Sequence, residues 1–245
     1  VLMSRFYGAG DEGALRREVA TTIVFGGAAS VAAFLLGWPL SGPVLRLMRV
    51  PGEILAMATR YLQVIFVGFL FTFQYNILAA ALRSVGDSKT PLFFLVLSSV
   101  LNVILDLAFI LIFKLGVLGA SLATVLSQVV SAVLVMMTLC RSPQVYRVQL
   151  KKIRFYGDML VRIVRIGLPA GLQSVMYSLS NIIIQASVNG FGTDVMAAYT
   201  AYGKVDGMYW MVINAFGVAI TTFVGQNFGA RLYDRMKKSI NVCLG

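Results

Sequence analysis

The feature that most constrains this chain is a series of apolar stretches, each about 20 residues or longer, that recur throughout its length. A stretch of about 20 apolar residues is long enough to cross a hydrocarbon core about 30 Å thick. Because the bilayer core offers the backbone no water to bond with, such stretches fold as helices, whose hydrogen bonds are internal. They lack the alternating pattern of membrane β-barrel strands. The sequence therefore predicts an all-α, polytopic bundle of transmembrane helices.

Composition excludes several other classes of protein. Charged residues make up 13% of the chain, against about a quarter in soluble domains. The net charge of +11 does not predict a nucleic-acid partner, since the basic residues fall in short loops and form no extended face. There is no histidine, and Cys140 and Cys243 lack metal-ligand spacing,. No nucleophile–base pair occurs within the apolar stretches, so we predict no enzyme activity, no metal and no cofactor.

We predict six spans, each bounded by glycine, proline or charged residues. Pro39 and the Ser41-Gly42-Pro43 sequence are expected to end the first span, because proline interrupts helices. A polar linker at 142–157 separates the first four spans from the last two. The predicted spans are residues 18–40, 53–84, 88–113, 117–141, 159–189 and 194–229.

The distribution of lysine and arginine predicts the orientation, since cytoplasmic loops are enriched in both. If the linker 142–157 is cytoplasmic, 16 of the 21 basic residues lie in cytoplasmic segments. External turns then hold only Arg46, Arg49 and Lys114. The 16 are Arg5, Arg16, Arg17, Arg83, Lys89, Arg141, Arg147, Lys151, Lys152, Arg154, Arg162, Arg165, Arg231, Arg235, Lys237 and Lys238. We therefore predict a multi-pass protein of the cell (inner or plasma) membrane, in contact with membrane lipid and with a cytoplasmic linker.

The sequence contains an internal repeat with an offset of 221 residues. Tyr7-Gly8-Ala9 corresponds to Phe228-Gly229-Ala230, and Leu15-Arg16-Arg17 corresponds to Met236-Lys237-Lys238. An even number of spans lies between the copies, so the repeat is parallel, with an axis along the membrane normal. Half-to-half symmetry of this kind is frequent in secondary transporters.

The repeat predicts two pseudo-symmetric six-helix lobes, of which this chain supplies the middle six helices. We expect about two further helices before Val1 and about four after Gly245. Residues 1–141 are then the N-terminal lobe, from the end of helix 2 through helices 3–6. Residues 142–157 are the inter-lobe linker, and residues 158–245 begin the C-terminal lobe with helices 7, 8 and the start of 9.

Two carboxylates fall inside predicted spans, where a charge costs about 2.5–3.5 kcal/mol on insertion scales. Asp106 follows Asn102 by four residues, so both lie on one helix face,. They bind a coupling cation or a proton, or they form a structural hydrogen bond to a neighbouring helix. Tyr199, Tyr202 and Asp206 share a second face. Aromatic rings beside a carboxylate suit an organic cation, and the alternative is an ion pair with another helix.

The fifth span has a polar stripe at spacings of three and four residues. In lipid, such a stripe faces protein or water, so it lines a solute path or joins helices together. We interpret it as a cavity wall, whose Tyr177, Asn181 and Gln185 are candidate solute-binding residues. The stripe consists of Ser174, Tyr177, Asn181, Gln185 and Asn189.

Five sequence strings, in order along essentially the whole chain, resemble the multidrug and toxic compound extrusion (MATE) family. They are Tyr7-Gly8-Ala9-Gly10-Asp11, Leu82-Arg83-Ser84-Val85-Gly86-Asp87-Ser88-Lys89-Thr90-Pro91, Asn102-Val103-Ile104-Leu105-Asp106, Gly167-Leu168-Pro169-Ala170-Gly171 and Val224-Gly225-Gln226-Asn227-Phe228-Gly229-Ala230. The resemblance implies a twelve-helix antiporter that exports small organic, often cationic, solutes in exchange for protons or sodium ions by alternating access. Members commonly carry an aspartate in the first helix, which this chain lacks. Asn181 occupies the matching position of the second lobe and cannot titrate. Asp206 looks like the counterpart of a glutamate in the eighth helix, so the resemblance implies coupling through Asp206 as a hypothesis.

Two alternatives remain beside the antiporter. A flippase for lipid-linked saccharides is expected to line its cavity with basic residues. Here only Arg60 and Lys204, which lie inside spans near their external ends, could serve. The other alternative is a fragment without activity of its own, because half of each lobe's packing is missing.

Overall fold

A computed structural model describes residues 1–47, 50, 52–141, 147–148 and 154–244. These residues form α-helices and one π-helical turn, with no strand among them. In chain order the elements are α1 (Leu2–Gly8), α2 (Glu12–Leu47), α3 (Gly52–Ser84), α4 (Lys89–Leu107), the π-helical turn (Ala108–Ile112), α5 (Gly116–Arg141), α6 (Gly157–Asn189), α7 (Thr193–Gly229) and α8 (Tyr233–Leu244).

Six helices in the described part of the chain are long and apolar enough to cross a membrane. They correspond one to one with the six predicted spans, and five agree with the prediction to within about two residues at each end. The all-α transmembrane fold is therefore confirmed. Most of the predicted linker, at 142–146 and 149–153, lies outside the described residues.

The predicted bounds of the first span, 18–40, were wrong at both ends. The helix begins at Glu12, where the Asp11 carboxylate accepts a hydrogen bond from the Ala14 backbone N–H at 2.9 Å, as an N-cap does. It continues through Pro39 to Leu47. Membrane helices tolerate proline, because neighbouring side chains and helices bond the carbonyl groups that proline leaves free.

The chain divides into two compact units, and the first comprises Asp11–Tyr156. In this unit α3 packs against α2 and α5, and α4 packs against α5. Leu78 and Leu82 of α3 and Leu139 of α5 are almost completely buried. Gln74 Nε2 donates to the Ile23 carbonyl of α2 at 3.3 Å, and Tyr75 Oη donates to the Pro91 carbonyl of α4 at 3.0 Å. Apolar packing and hydrogen bonds between helices therefore hold this unit together.

Gly68 sets the distance between α3 and α5, and we predict that alanine there is destabilising. A Cβ atom at Gly68 would lie 2.5 Å from Val125 Cγ2 and 3.5 Å from Val125 Cα. Overpacking of this kind costs about 1–3 kcal/mol. Gly68→Ala should therefore lower the thermal unfolding temperature in detergent. Gly42→Ala is the control, since its Cβ would meet only Thr59 Cγ2 at 3.8 Å, and an equal effect of both changes would contradict the prediction.

The second unit comprises Val1–Gly10 and Gly157–Gly245. Here α1 packs on the C-terminal part of α7, which also contacts α6 and α8. A Cβ at Gly8 would fall on the Gln226 carbonyl oxygen and 2.7 Å from Gln226 Cα. A Cβ at Gly229 would fall on the Arg5 carbonyl oxygen and 2.8 Å from the Ala9 nitrogen. Only glycine permits such close contact between helix backbones.

This contact is reciprocal under the 221-residue offset. Gly8 corresponds to Gly229, and Arg5 corresponds to Gln226. Gly8 contacts Gln226, and Gly229 contacts Arg5, so the two contacts are equivalent. Gly225 faces its own equivalent, Ser4, whose side chain is 0% exposed. The two copies of the repeat therefore pack on each other as pseudo-two-fold equivalents.

The local backbone also follows the repeat. α1 ends at Gly8 and α7 ends at Gly229. The next residue is helical in both copies, and the one after has a positive φ, 70° at Gly10 and 58° at Arg231. The following helices begin at Glu12 and Tyr233, again 221 residues apart. The repeat is thus structural as well as sequential, whereas the predicted lobe boundaries at 141 and 158 stay a prediction.

Candidate functional site

The first candidate cluster is Asn102 and Asp106, on one face of α4. Asn102 Nδ2 and Asp106 Oδ1 are buried, and neither atom has a hydrogen-bond partner among the residues that the structure describes. One turn earlier, Ser98 donates to the Ser127 carbonyl of α5 at 3.1 Å. The structural hydrogen bond proposed for Asp106 therefore does not form at Oδ1. A buried polar atom left unpaired costs about 1–3 kcal/mol, so this pair is a candidate for holding a ligand.

The backbone next to Asp106 is irregular. α4 ends at Leu107, and the π-helical turn Ala108–Ile112 follows directly. The Leu115 N–H donates to the Phe109 carbonyl, and Lys114 has φ of 53°. Short π-helical segments within membrane and soluble helices are frequent at functional sites. Asp106 thus lies at the junction of two helical geometries.

The second candidate cluster is the α7 face of Tyr199, Tyr202 and Asp206. Tyr202 Oη donates to Asp206 Oδ1 at 3.3 Å, and the ring centroids of Tyr199 and Tyr202 are 6.1 Å apart. The structure therefore brings together the three residues that the spacing placed on one face. Asp206 is half-buried, and Tyr202 is 59% exposed. The carboxylate therefore lies beside one exposed ring, that of Tyr202, on the same face as the half-buried Tyr199.

The predicted polar stripe of α6 is exposed along its described length. Ser174 donates to the Ala170 carbonyl of its own helix at 3.1 Å, so its hydroxyl does not join helices. Tyr177 contacts α7, with its ring centroid 6.5 Å from that of Trp210. Asn181 and Gln185 are exposed, and Gln185 has an interaction partner. The Asn189 side chain lies outside the described residues.

Sequence reasoning missed two residues. Glu18 was treated as the start of a span, but it lies in the second turn of α2 and is only 4% exposed. The Asp11 cap could have shown that the helix starts six residues earlier and that Glu18 lies inside it, whereas its burial depends on tertiary packing. Trp210 was not selected, although it follows Asp206 by four residues and so lies on the same face of α7.

The comparisons with known proteins agree with the fold. The MatE family model matches residues 1–108 and 169–245. A probable multidrug resistance protein of Bacillus subtilis, YoeA, is 32% identical over 99% of this chain and 54% of its own length. A second one from the same organism, YpnP, is 34% identical over 79% of the chain and 43% of its own length. The chain spans about half the length of the curated relatives that it matches.

Solved structures show the same architecture. The crystal structure of a MATE protein in complex with MaD3S superposes with a TM-score of 0.92 at 23% identity, covering 99% of this chain and 55% of that protein. Members of the family are membrane transporters rather than enzymes, which agrees with the absence of a predicted catalytic pair. The helical fold, the membrane spans, the family model and the curated relatives together show that this chain belongs to the MatE family of multidrug and toxic compound extrusion transporters.

Proposed function

We propose that residues 1–245 form the central half of a secondary antiporter, which exports small organic solutes, often cationic, in exchange for protons or sodium ions. The family membership and the relatives described as multidrug resistance proteins support this proposal. Six membrane spans in the described part of the chain suit a transporter. We place it in the cell membrane with the linker 142–157 in the cytoplasm, on the basis of the basic residues.

The observation that carries the coupling role is the unpaired polar pair on α4. Asn102 Nδ2 and Asp106 Oδ1 are buried without partners among the described residues. A proton or a sodium ion on Asp106 would remove the cost of burying its charge, and oxygen ligands suit such hard cations. We assign the coupling cation to Asp106, with Asn102 contributing its amide oxygen after rotation of the amide group.

The solute site in this proposal is the α7 face around Asp206. A carboxylate with a hydrogen-bonded tyrosine and a second ring 6.1 Å away provides charge and aromatic surface together. Tyr177, Asn181 and Gln185 of α6 supply further polar contacts. A lipid-linked pyrophosphate would instead require basic groups, and the sequence of α7 contains a single one, Lys204. The acidic character of the site favours cation export over a flippase.

We predict that Asp206→Asn weakens the binding of cationic solutes by about 10- to 100-fold, since hydrogen bonds to charged groups contribute about 1.5–3 kcal/mol. Affinity is measured by fluorescence titration of ethidium on the purified complete transporter, meaning the product of the source gene that contains residues 1–245. Asp206→Glu should retain part of the affinity. Asp194→Asn, at the exposed start of α7, is the control for charge removal.

Normal ethidium affinity of Asp206→Asn would disprove this solute site. Sequencing of the source gene on both sides of this reading frame tests the architecture. The proposal requires about two further helices upstream, with an aspartate that aligns with Asn181, and about four downstream. Start and stop signals directly at residues 1 and 245 would overturn the twelve-helix architecture and favour a fragment without transport activity.

A further inference from the structure

The face of α7 that holds Asp206 extends one turn beyond the predicted residues. Tyr199, Tyr202, Asp206 and Trp210 follow one another at spacings of three, four and four residues. In an α-helix these positions lie within one narrow stripe. Asp206 is therefore flanked by tyrosine rings on one side along the helix and by the indole of Trp210 on the other.

Trp210 is held by an aromatic contact with the neighbouring helix. The ring centroids of Tyr177 on α6 and Trp210 on α7 are 6.5 Å apart, with an interplanar angle of 64°. This edge-to-face geometry is the favourable one for aromatic pairs. Among the described residues, part of both rings stays exposed, 44% of Trp210 and 57% of Tyr177. Within this part of the chain, the indole thus contacts one aromatic partner and has room for a second.

The two aromatic pairs differ in what they provide. In the Tyr199–Tyr202 pair, the Tyr202 hydroxyl is engaged by Asp206 at 3.3 Å. Trp210 makes no such bond to the carboxylate and offers the largest π-surface on this face. Tryptophan is also the best aromatic partner for a cation. A solute whose positive charge lies at Asp206 would contact the indole with the part of the molecule that lies about one helical turn from that charge.

We propose that Trp210, oriented by Tyr177, determines the specificity of the solute site for planar aromatic cations. The inference deepens the proposed function and rests on it. Asp206 neutralises the positive charge, and the indole stacks on the aromatic ring system. Small aliphatic cations satisfy the carboxylate but are too compact to cover Trp210 as well. The site therefore discriminates by aromatic area rather than by charge.

The test compares two probes on the complete transporter in detergent. Ethidium is a planar aromatic cation, and tetraethylammonium is a compact aliphatic one. Trp210→Ala should weaken ethidium binding by roughly 3- to 30-fold, the range expected for a desolvated aromatic–cation contact, and should change tetraethylammonium binding less than twofold. Trp210→Phe should restore part of the ethidium affinity. Tyr177→Ala should weaken ethidium binding less, and its effect should be non-additive with that of Trp210→Ala.

Met208→Ala is the matched control, because Met208 lies on the opposite side of α7 from Asp206 and is 72% exposed,. Equal losses for both probes in Trp210→Ala, or no loss for either, would overturn the inference and indicate a packing role against lipid or another helix. If the unmodified transporter binds neither probe, the proposed function itself fails. Asp206→Asn further distinguishes a failure of the Trp210 inference from a failure of the proposed function, since it should weaken the binding of both probes equally.

Discussion

Valine in place of Gly229 is expected to separate the ends of α1 and α7 and to leave the transporter open toward the cytoplasm. A Cβ at this position coincides with the Arg5 carbonyl oxygen and approaches the Ala9 nitrogen to 2.8 Å. These are backbone atoms, so no side-chain rotation relieves the overlap. Overpacking costs about 1–3 kcal/mol, which corresponds to a shift of roughly 5- to 150-fold in a two-state equilibrium. Gly8→Val should act in the same way, because the contact is reciprocal.

The measurement uses Ser4, which is 0% exposed and lies against Gly225. Ser4→Cys is introduced after Cys140 and Cys243 have been replaced by serine, and its labelling by a maleimide is followed in inside-out vesicles. Labelling should be slow in the parent and at least about fivefold faster in Gly229→Val. Gly217→Val on the same helix is the control, since nothing lies within 4 Å of a Cβ there. Slow labelling together with normal efflux in Gly229→Val would refute the prediction.

Asp106→Asn is expected to abolish coupled transport while preserving the fold. The amide keeps the size of the carboxylate, and Oδ1 has no partner to lose among the described residues. The variant cannot exchange a proton or carry the charge that attracts a cation, so the ion gradient no longer drives export. We expect ethidium efflux from everted vesicles to fall by about 100-fold or more, given the several kcal/mol that separate a charged from a neutral group inside a membrane.

A structural role for Asp106 gives a different result. If the carboxylate only joined helices, Asp106→Asn would lower the thermal unfolding temperature while leaving solute-induced proton or sodium movement intact. Asn102→Ala tests the partner residue and should reduce the affinity for the coupling ion more than the maximal rate. Asp87→Asn is the control: this carboxylate accepts a hydrogen bond from the Thr90 N–H at 3.0 Å in the loop before α4 and has no predicted coupling role.

The helical membrane fold was predictable from the sequence because its causes are local. A stretch of about 20 apolar residues forms a spanning helix whatever its neighbours are. Gly192, with φ of 93°, directly precedes α7, in keeping with the prediction that glycine is among the residues that bound the spans. The 221-residue repeat was also readable, and the structure matches it at Gly8 and Gly229. The local rule failed for α2, where Pro39 predicted a helix end that the folded protein does not have.

The candidate site was only partly predictable. Helical spacing placed Tyr202 beside Asp206, because residues four apart on one helix are neighbours in any fold. Spacing also paired Asn102 with Asp106, but it did not show that Asn102 Nδ2 and Asp106 Oδ1 are buried and unpaired among the described residues. That property depends on which side chains α5 brings to α4. The contact of Tyr177 with Trp210 joins two helices and has no signal in either helix alone.

The sequence by itself therefore determined the membrane class of this protein, its six spans and the register of its repeat, and it predicted the orientation of the spans. These features were readable because apolar length, charge and turn residues act within one segment. The tertiary structure alone decided that Gly8 and Gly229 face each other's helix and that Trp210 pairs with Tyr177. It also decided that Asn102 Nδ2 and Asp106 Oδ1 are buried without partners among the described residues. Those features depend on the packing of segments that are far apart in the chain, which no local pattern encodes.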